Sequence, residues 1–418
     1  MRRALALCLA PLLLACTREA PRPTHLVVWA GDSAGTASDF LGVLDATPGS
    51  PTYGRIVASL PVGDSGTHPH HTEAVMPANG HLLANGFGAG RTWRFDLTDP
   101  TRPRILSHLD DVAGFSHPHT FVRLANGHVL VTFQYAADSG AAAPMPHHGG
   151  GTTHAAATAP AHRTGGIVEM TEEGTVIRAA SAGDRTIPGG LNYPYSFLPL
   201  PAINRGLSTT TDMDEGNVAA TSEWLQLWDW QRLAPIAAFA LPAGPRGDEH
   251  RLTGEPFLLA DGKRALVHTF MCGLYLVDGL EGTAPRGTFV YGFPGKDCGV
   301  PVLAGRWFLQ TVPATHGVIV LDVADPAHPV KVSEVALGTR EAPHWLSMDA
   351  TGRRLVVNSG GSGERLYLLT FDPANGRVAV DSAFRDAGST EPGVNMRGAA
   401  WPHGFRGFAY PHGAVFTR

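Results

Sequence analysis

Three histidines crowd one proline in the stretch Gly66-Thr67-His68-Pro69-His70-His71-Thr72-Glu73. Phe115-Ser116-His117-Pro118-His119 repeats the theme, and Pro343-His344 and Pro402-His403 repeat its Pro-His core. Neutral imidazole is a good ligand for copper, zinc, iron and nickel, and three or four imidazoles with one open position suit Cu(II). Four Pro-His pairs in one register point to a metal site made of His70, His119, His344 and His403, joined by the adjacent His71. Glu73, Glu255 or Cys298 could complete or tune it, and Glu73 and Cys298 are the candidate catalytic groups. The competing reading is that Pro-His is repeat chemistry in which each imidazole only bonds loop backbone. No H-E-x-x-H helix or P-loop appears, and Gly31-Asp32-Ser33-Ala34-Gly35 reads as a lone Gly/Ser turn rather than a nucleophile elbow.

The elements that must carry these histidines repeat. Segments beginning at Pro69, Pro118, Pro343 and Pro402 each show an apolar run, a Gly- or Pro-containing turn and a second apolar run, which is a β-hairpin pattern. Weaker copies begin at residues 194, 254 and 298. A third strand follows each hairpin, as in Leu274-Tyr-Leu-Val-Asp278, and then a fourth, as in Arg104-Ile-Leu-Ser-His-Leu109. The links from Asp96 and Asp322 share an Asp-Pro turn, in which Pro presets φ and Asp bonds the turn backbone. Four strands every 40 to 50 residues is the spacing of β-propeller blades. The expected fold is all-β, a seven-bladed β-propeller closed by N- and C-terminal strands in one blade, with the strand beginning at Pro402 innermost there. In a propeller the first strand of each blade lines the channel, and the loop leading into it shares a face with the loop joining the second and third strands. Fourteen of the twenty histidines, His412 among them, fall in these two loop types, so the Pro-His imidazoles should converge at one mouth of the channel.

Bulk properties narrow the function. Charged residues make up 17% of the 418, below the usual ~25%, and Gly (50) and Pro (33) are abundant. Net charge is −5 with no Lys/Arg run, so nucleic acid is not an expected partner. Residues 1–16 read as an export signal: Arg2 and Arg3 precede an apolar run too short to span a membrane, and Leu13-Leu-Ala-Cys16 looks like a lipobox. Cys16 is then the lipidation site, residues 17–24 a tether, and residues 25–418 a single domain. The alternative is an ordinary signal with a chance cysteine. We expect an exported monomer facing the periplasm or cell surface, touching the membrane through its lipid only. Residues 136–164 read as a flexible insertion whose Met145, His147, His148, His154 and His162 either gather a metal or are merely solvated. Cys272 and Cys298 are left as a disulfide pair, two free thiols or thiolate ligands.

Several stretches resemble the selenium-binding protein / methanethiol oxidase family. They are Trp224-Leu-Gln-Leu-Trp-Asp-Trp-Gln-Arg232, residues 39–62, the His70-His71 pair, residues 318–338 with their Asp-Pro-x-x-Pro turn, and His403-Gly-Phe-Arg406. The resemblance implies a seven-bladed propeller. It also implies copper-dependent oxidation of methanethiol with O2 to formaldehyde, hydrogen sulfide and hydrogen peroxide, with His70, His71, His119 and His403 as ligands. The chain departs from the family at two places. The Cys-x-x-Cys that follows the family's His-His is absent, and Arg251-Leu-Thr-Gly254 stands where the family has Arg-Phe-Leu-His. Two functions therefore compete: a copper oxidoreductase acting on a small thiol, and a metal-binding or copper-handling surface lipoprotein without turnover.

Overall fold

The computed structural model describes residues 24–137, 163–213, 223–360 and 363–418. They form seven antiparallel sheets arranged as the blades of a β-propeller. Blade 2 runs outward from Pro69–Thr72 through His81–Gly86 and Arg91–Asp96 to Arg104–Leu109. The innermost strands of blades 3 to 7 are Phe115–Arg123, Pro194–Leu200, Thr253–Leu258, Val302–Ala304 and Ala342–Met348. The proposed leader, the tether apart from Thr24, and most of the insertion lie outside the described residues.

Blade 1 is closed by both chain ends, as expected, but through a different strand. Ala409–Phe416 is innermost and pairs with His25–Asp32, Leu26 lying opposite Phe416 and Asp32 opposite Ala409. The strand expected to start at Pro402 does not form. Residues 402–404 make a turn, in which Gly404 sits at φ 97°. Trp401 is instead buried edge-on against Phe40, its ring within 2.4 Å of where a Cβ on Gly42 would stand. Residues 402–407 thus wrap the flank of blade 1, and the uninterrupted apolar run after them makes the closing strand.

Apolar residues on both faces of the inner strands follow from stacking blade on blade. Gly317–Asp322 is buried along nearly its whole length, whereas the outermost strand of the same blade, Val330–Ala336, alternates exposed and half-buried residues. Trp29 of blade 1 meets Trp93 of blade 2 at 5.4 Å between ring centroids, one of several such seams. Each fully buried large side chain contributes roughly 1.5–3 kcal/mol. Charges on the outermost strands, such as Lys331 and Glu334, keep these free edges from pairing with other sheets. The Asp-Pro turns form as the sequence suggests: Asp96 accepts the Thr98 N–H at 2.9 Å and Asp325 accepts that of Ala327 at 3.1 Å.

Candidate functional site

The site is built by a repeated irregularity. Proline has no N–H for the ladder, and just inside the start of the innermost strand the pairing slips. The slip falls between Pro69 and Thr72, Pro118 and Phe121, Pro194 and Phe197, Thr253 and Pro256, and Pro343 and Trp345. In blade 1 it falls between the Pro411 and Ala414 pairings. The residue after each proline is thereby aimed at the axis: His412, His70, His119, Tyr195 and His344 in blades 1, 2, 3, 4 and 7. Their rings meet across blade boundaries, His70–His412 at 4.1 Å, His70–His119 at 4.9 Å, His344–His412 at 4.7 Å and His119–Tyr195 at 3.9 Å. A bulge also lets two consecutive side chains share one side of a strand. The rings of His70 and His71 stack 4.4 Å apart and nearly parallel, at 5°.

Four of the six bulges are clamped from the second strand of their blade. Asn85, Thr132, Thr209 and Asn358 accept the backbone N–H of His71, Thr120, Ser196 and Trp345 at 2.6, 2.9, 3.2 and 2.9 Å. Three of these side chains also donate to the next blade. Asn85 reaches the Pro118 carbonyl, Thr132 that of Tyr195 and Asn358 that of Pro411. The clamps therefore fix both the turn of each strand and the spacing between neighbours.

The cluster is largely buried. His70, His71, His119 and His412 are 1%, 2%, 0% and 1% exposed, and His344 is half-buried. Burial pushes His70 and His71 well below the usual imidazole range, and the charges acting on them are those of other histidines. Burial likewise lowers His119 to about 3, against a small opposing effect of the Tyr195 carbonyl. His70, His71 and His119 are therefore neutral at pH 7 and have lone pairs to give. Nitrogen atoms of His70, His71 and His412 lie within 4.8 Å of one another. His119 donates Nδ1–H to the Tyr195 carbonyl at 2.9 Å, and its Nε2 is buried with no hydrogen-bond partner. Nδ1 of His70 is likewise buried and unbonded. Orphaned imidazole nitrogens facing one another are costly unless something binds them. An all-nitrogen, neutral donor set fits a borderline metal such as copper.

The other sequence candidates fall elsewhere. His403 is not in the ring; it bonds Ser59 Oγ through Nδ1 at 2.6 Å and lies against Phe40 on the flank of blade 1, because its segment is not the closing strand. Pro411-His412, nine residues later, takes the place expected for Pro402-His403. Glu73 leaves the ring altogether: its carboxylate accepts from Arg123 and from the Leu83 N–H. Burial raises its pKa even so, and Arg123 opposes the rise. Cys298 forms a disulfide with Cys272 and offers no thiolate. Glu255 lies one residue past the ring position of blade 5, accepts from Ser196 and, at 3.4 Å, from Thr120, and is pushed up to about 7 by burial. Tyr195 escaped the sequence reading because the ring position is set by the proline, not by the histidine that usually follows it.

No family model matches the chain. It is similar to a methanethiol oxidase of Hyphomicrobium sp, 29% identical over 127 residues that cover 30% of this chain and 28% of that protein. It is also similar to a methanethiol oxidase of Ruegeria pomeroyi, 24% identical over 244 residues that cover 51% and 50%. The chain thus matches half or less of the length of these curated relatives. Among solved structures, a hypothetical selenium-binding protein of Sulfolobus tokodaii superposes with a TM-score of 0.70 at 15% identity, covering 96% of this chain and 94% of that one. At that identity the superposition speaks for the fold.

Proposed function

This chain is a divergent member of the selenium-binding protein / methanethiol oxidase family, and we propose that it is a copper-dependent oxidase of a small thiol with dioxygen as acceptor. The observation that carries the proposal is the meeting of five imidazoles, His70, His71, His119, His344 and His412, in one largely buried cluster. The relatives named methanethiol oxidase supply the substrate class.

His70, His71 and His412 would hold the metal, with His119 and His344 beside them. Bound copper would supply a seat for the substrate sulfur and an electron acceptor between thiol and dioxygen. The protein's own part is to bind, orient and keep dry. The Tyr195 carbonyl fixes the His119 tautomer so that Nε2 faces the ring. Trp345 lies 5.0 Å from His71 and Phe87 5.6 Å from His70, apolar walls that suit a methyl group and exclude water. Glu255, poised near neutrality, is the group we assign to take the thiol proton. One methanethiol, one dioxygen and one water then yield formaldehyde, hydrogen sulfide and hydrogen peroxide.

We also propose that the protein is exported and anchored through Cys16, an oxidising setting with which the Cys272–Cys298 disulfide is consistent. Loss of radiolabelled lipid from a Cys16→Ala variant tests the anchor. The catalytic proposal is tested by an oxygen electrode: copper-loaded protein should consume O2 on addition of methanethiol and release hydrogen peroxide. Copper held without O2 uptake would overturn the oxidase reading in favour of a copper-handling protein.

A further inference from the structure

Blade 5 lacks the clamp found in blades 2, 3, 4 and 7, and it does so beside a bulged strand whose ring position has no side chain. Thr253 pairs with Thr269 as Pro69 pairs with Gly86, so His268 stands where Asn85 stands in blade 2. The same register places Thr132, Thr209 and Asn358 at this position in blades 3, 4 and 7. Those four side chains clamp a backbone N–H. His268 does not: neither ring nitrogen has a hydrogen-bond partner among the described residues, although the side chain is wholly buried. Burial lowers the His268 imidazole to about 3, with the His344 ring acting in the same direction and the Thr269 backbone opposing.

The ring position of blade 5, filled by His70, His119, Tyr195, His344 and His412 in other blades, is Gly254. A Cβ built on Gly254 would lie 2.2 Å from His268 Nε2 and 2.5 Å from its Cε1. The Nε2 edge of His268 therefore occupies the volume where a side chain of the innermost strand would begin. Gly254 is not in the left-handed region, so its backbone does not demand glycine. What glycine provides is the gap. Phe270 closes one flank of the imidazole at 5.3 Å and lies almost parallel to His344 at 6.3 Å, so the two histidines share an aromatic neighbour.

We propose that His268 is an additional metal-binding nitrogen of the ring, delivered from the second strand of blade 5 through the gap at Gly254. The ring then draws histidines from blades 1, 2, 3, 5 and 7, and blade 5 reaches the axis by a different strand from the others. An unbonded imidazole, kept at a position where four other blades keep a hydrogen-bonding Asn or Thr, is explained if a ligand completes it. This rests on the reading of the ring as a copper site.

The test uses the full chain and Cu(II) alone, with affinity measured against a competing chelator and the copper examined by electron paramagnetic resonance. His268→Asn installs the residue found in blades 2 and 7, and Gly254→Ala leaves His268 in place but drives its ring from the gap. Both should weaken copper binding by about tenfold or more and change the nitrogen hyperfine pattern, relative to wild type. Wild-type affinity and spectrum in whichever of the two variants folds would overturn the role of His268 while leaving the ring site intact. A wild-type protein that takes up no copper would overturn the ring site and this inference together.

Discussion

His119 of blade 3 donates its Nδ1–H to the carbonyl of Tyr195 in blade 4 at 2.9 Å, and the opposite edge of the same ring is left buried and unbonded. A carbonyl can only accept, so the bond sets the tautomer: the proton is on Nδ1 and the lone pair on Nε2 points into the histidine cluster. The Tyr195 carbonyl does not depend on His119, since Thr120 and Thr132 also donate to it at 2.9 and 2.8 Å.

That asymmetry separates a ligand from a structural histidine. His119→Leu removes an orphaned nitrogen and leaves the Tyr195 carbonyl satisfied. We expect metal-free His119→Leu to melt within about 1 kcal/mol of wild type or above it. Its copper affinity should fall by about tenfold or more. Calorimetry of the metal-free protein and chelator competition check the two halves. Marked destabilisation with unchanged copper affinity would mean the ring is structural.

The two Pro-His-Gly motifs near the C-terminus should behave oppositely. His403→Ala loses the Ser59 bond and the contact with Phe40, at a cost on the order of 1 kcal/mol, and should keep its full copper content. His412→Ala should lose it. Metal analysis of the two purified variants is sufficient, and the reverse pattern would place the site on the flank of blade 1.

The Cys272–Cys298 disulfide joins the tip of the blade 5 hairpin to the approach of blade 6 across 26 residues. A loop of that length implies roughly 3 kcal/mol of stabilisation by the chain-entropy account. The Cys272→Ser/Cys298→Ser double variant should lose about that much in denaturant unfolding. Added reductant should then bring wild type down to the same midpoint.

Glu255 gives the protein a pH dependence of definite sign. Burial raises its carboxyl to about 7, so the folded chain binds this proton more tightly than the unfolded chain. Its contribution to stability is complete below the unfolded value near 4.5 and is lost as pH rises towards 7. The metal-free Glu255→Gln variant should match wild type at pH 4 and exceed it at pH 8. The expected excess is on the order of 2 kcal/mol, less than the full shift would give because Glu255 is only half-buried. Chemical unfolding at the two pH values checks this, and equal stabilities at pH 8 would remove Glu255 as a poised proton acceptor.

Much of this architecture was legible in the residue order because propeller blades are local. Each hairpin, each Asp-Pro turn and each Pro-His lies within one short stretch of chain, and the seven blades follow from their repetition. His70, His119 and His344 could be found by register, and His71 by its place beside His70. What could not be read is what depends on pairing. Two Pro-His motifs nine residues apart compete for the closing strand, and the choice goes with the turn at residues 402–404 and with Trp401 fitting over Gly42. His268 sits in an ordinary apolar strand, and only its position opposite Gly254 distinguishes it. Cys298 was an open choice until the two blades that carry it and Cys272 were placed side by side.

The central claim is that the histidine ring at the propeller axis binds copper, and His71 is the residue that tests it most directly, since the bulge of blade 2 brings it in beside His70. The measurement is copper content after loading the full chain with Cu(II) and dialysing away what is loosely held, for wild type and for His71→Ala. We predict about one copper per chain in wild type and little or none in His71→Ala, with both proteins folded. Equal copper in the two, or none in either, would contradict the account.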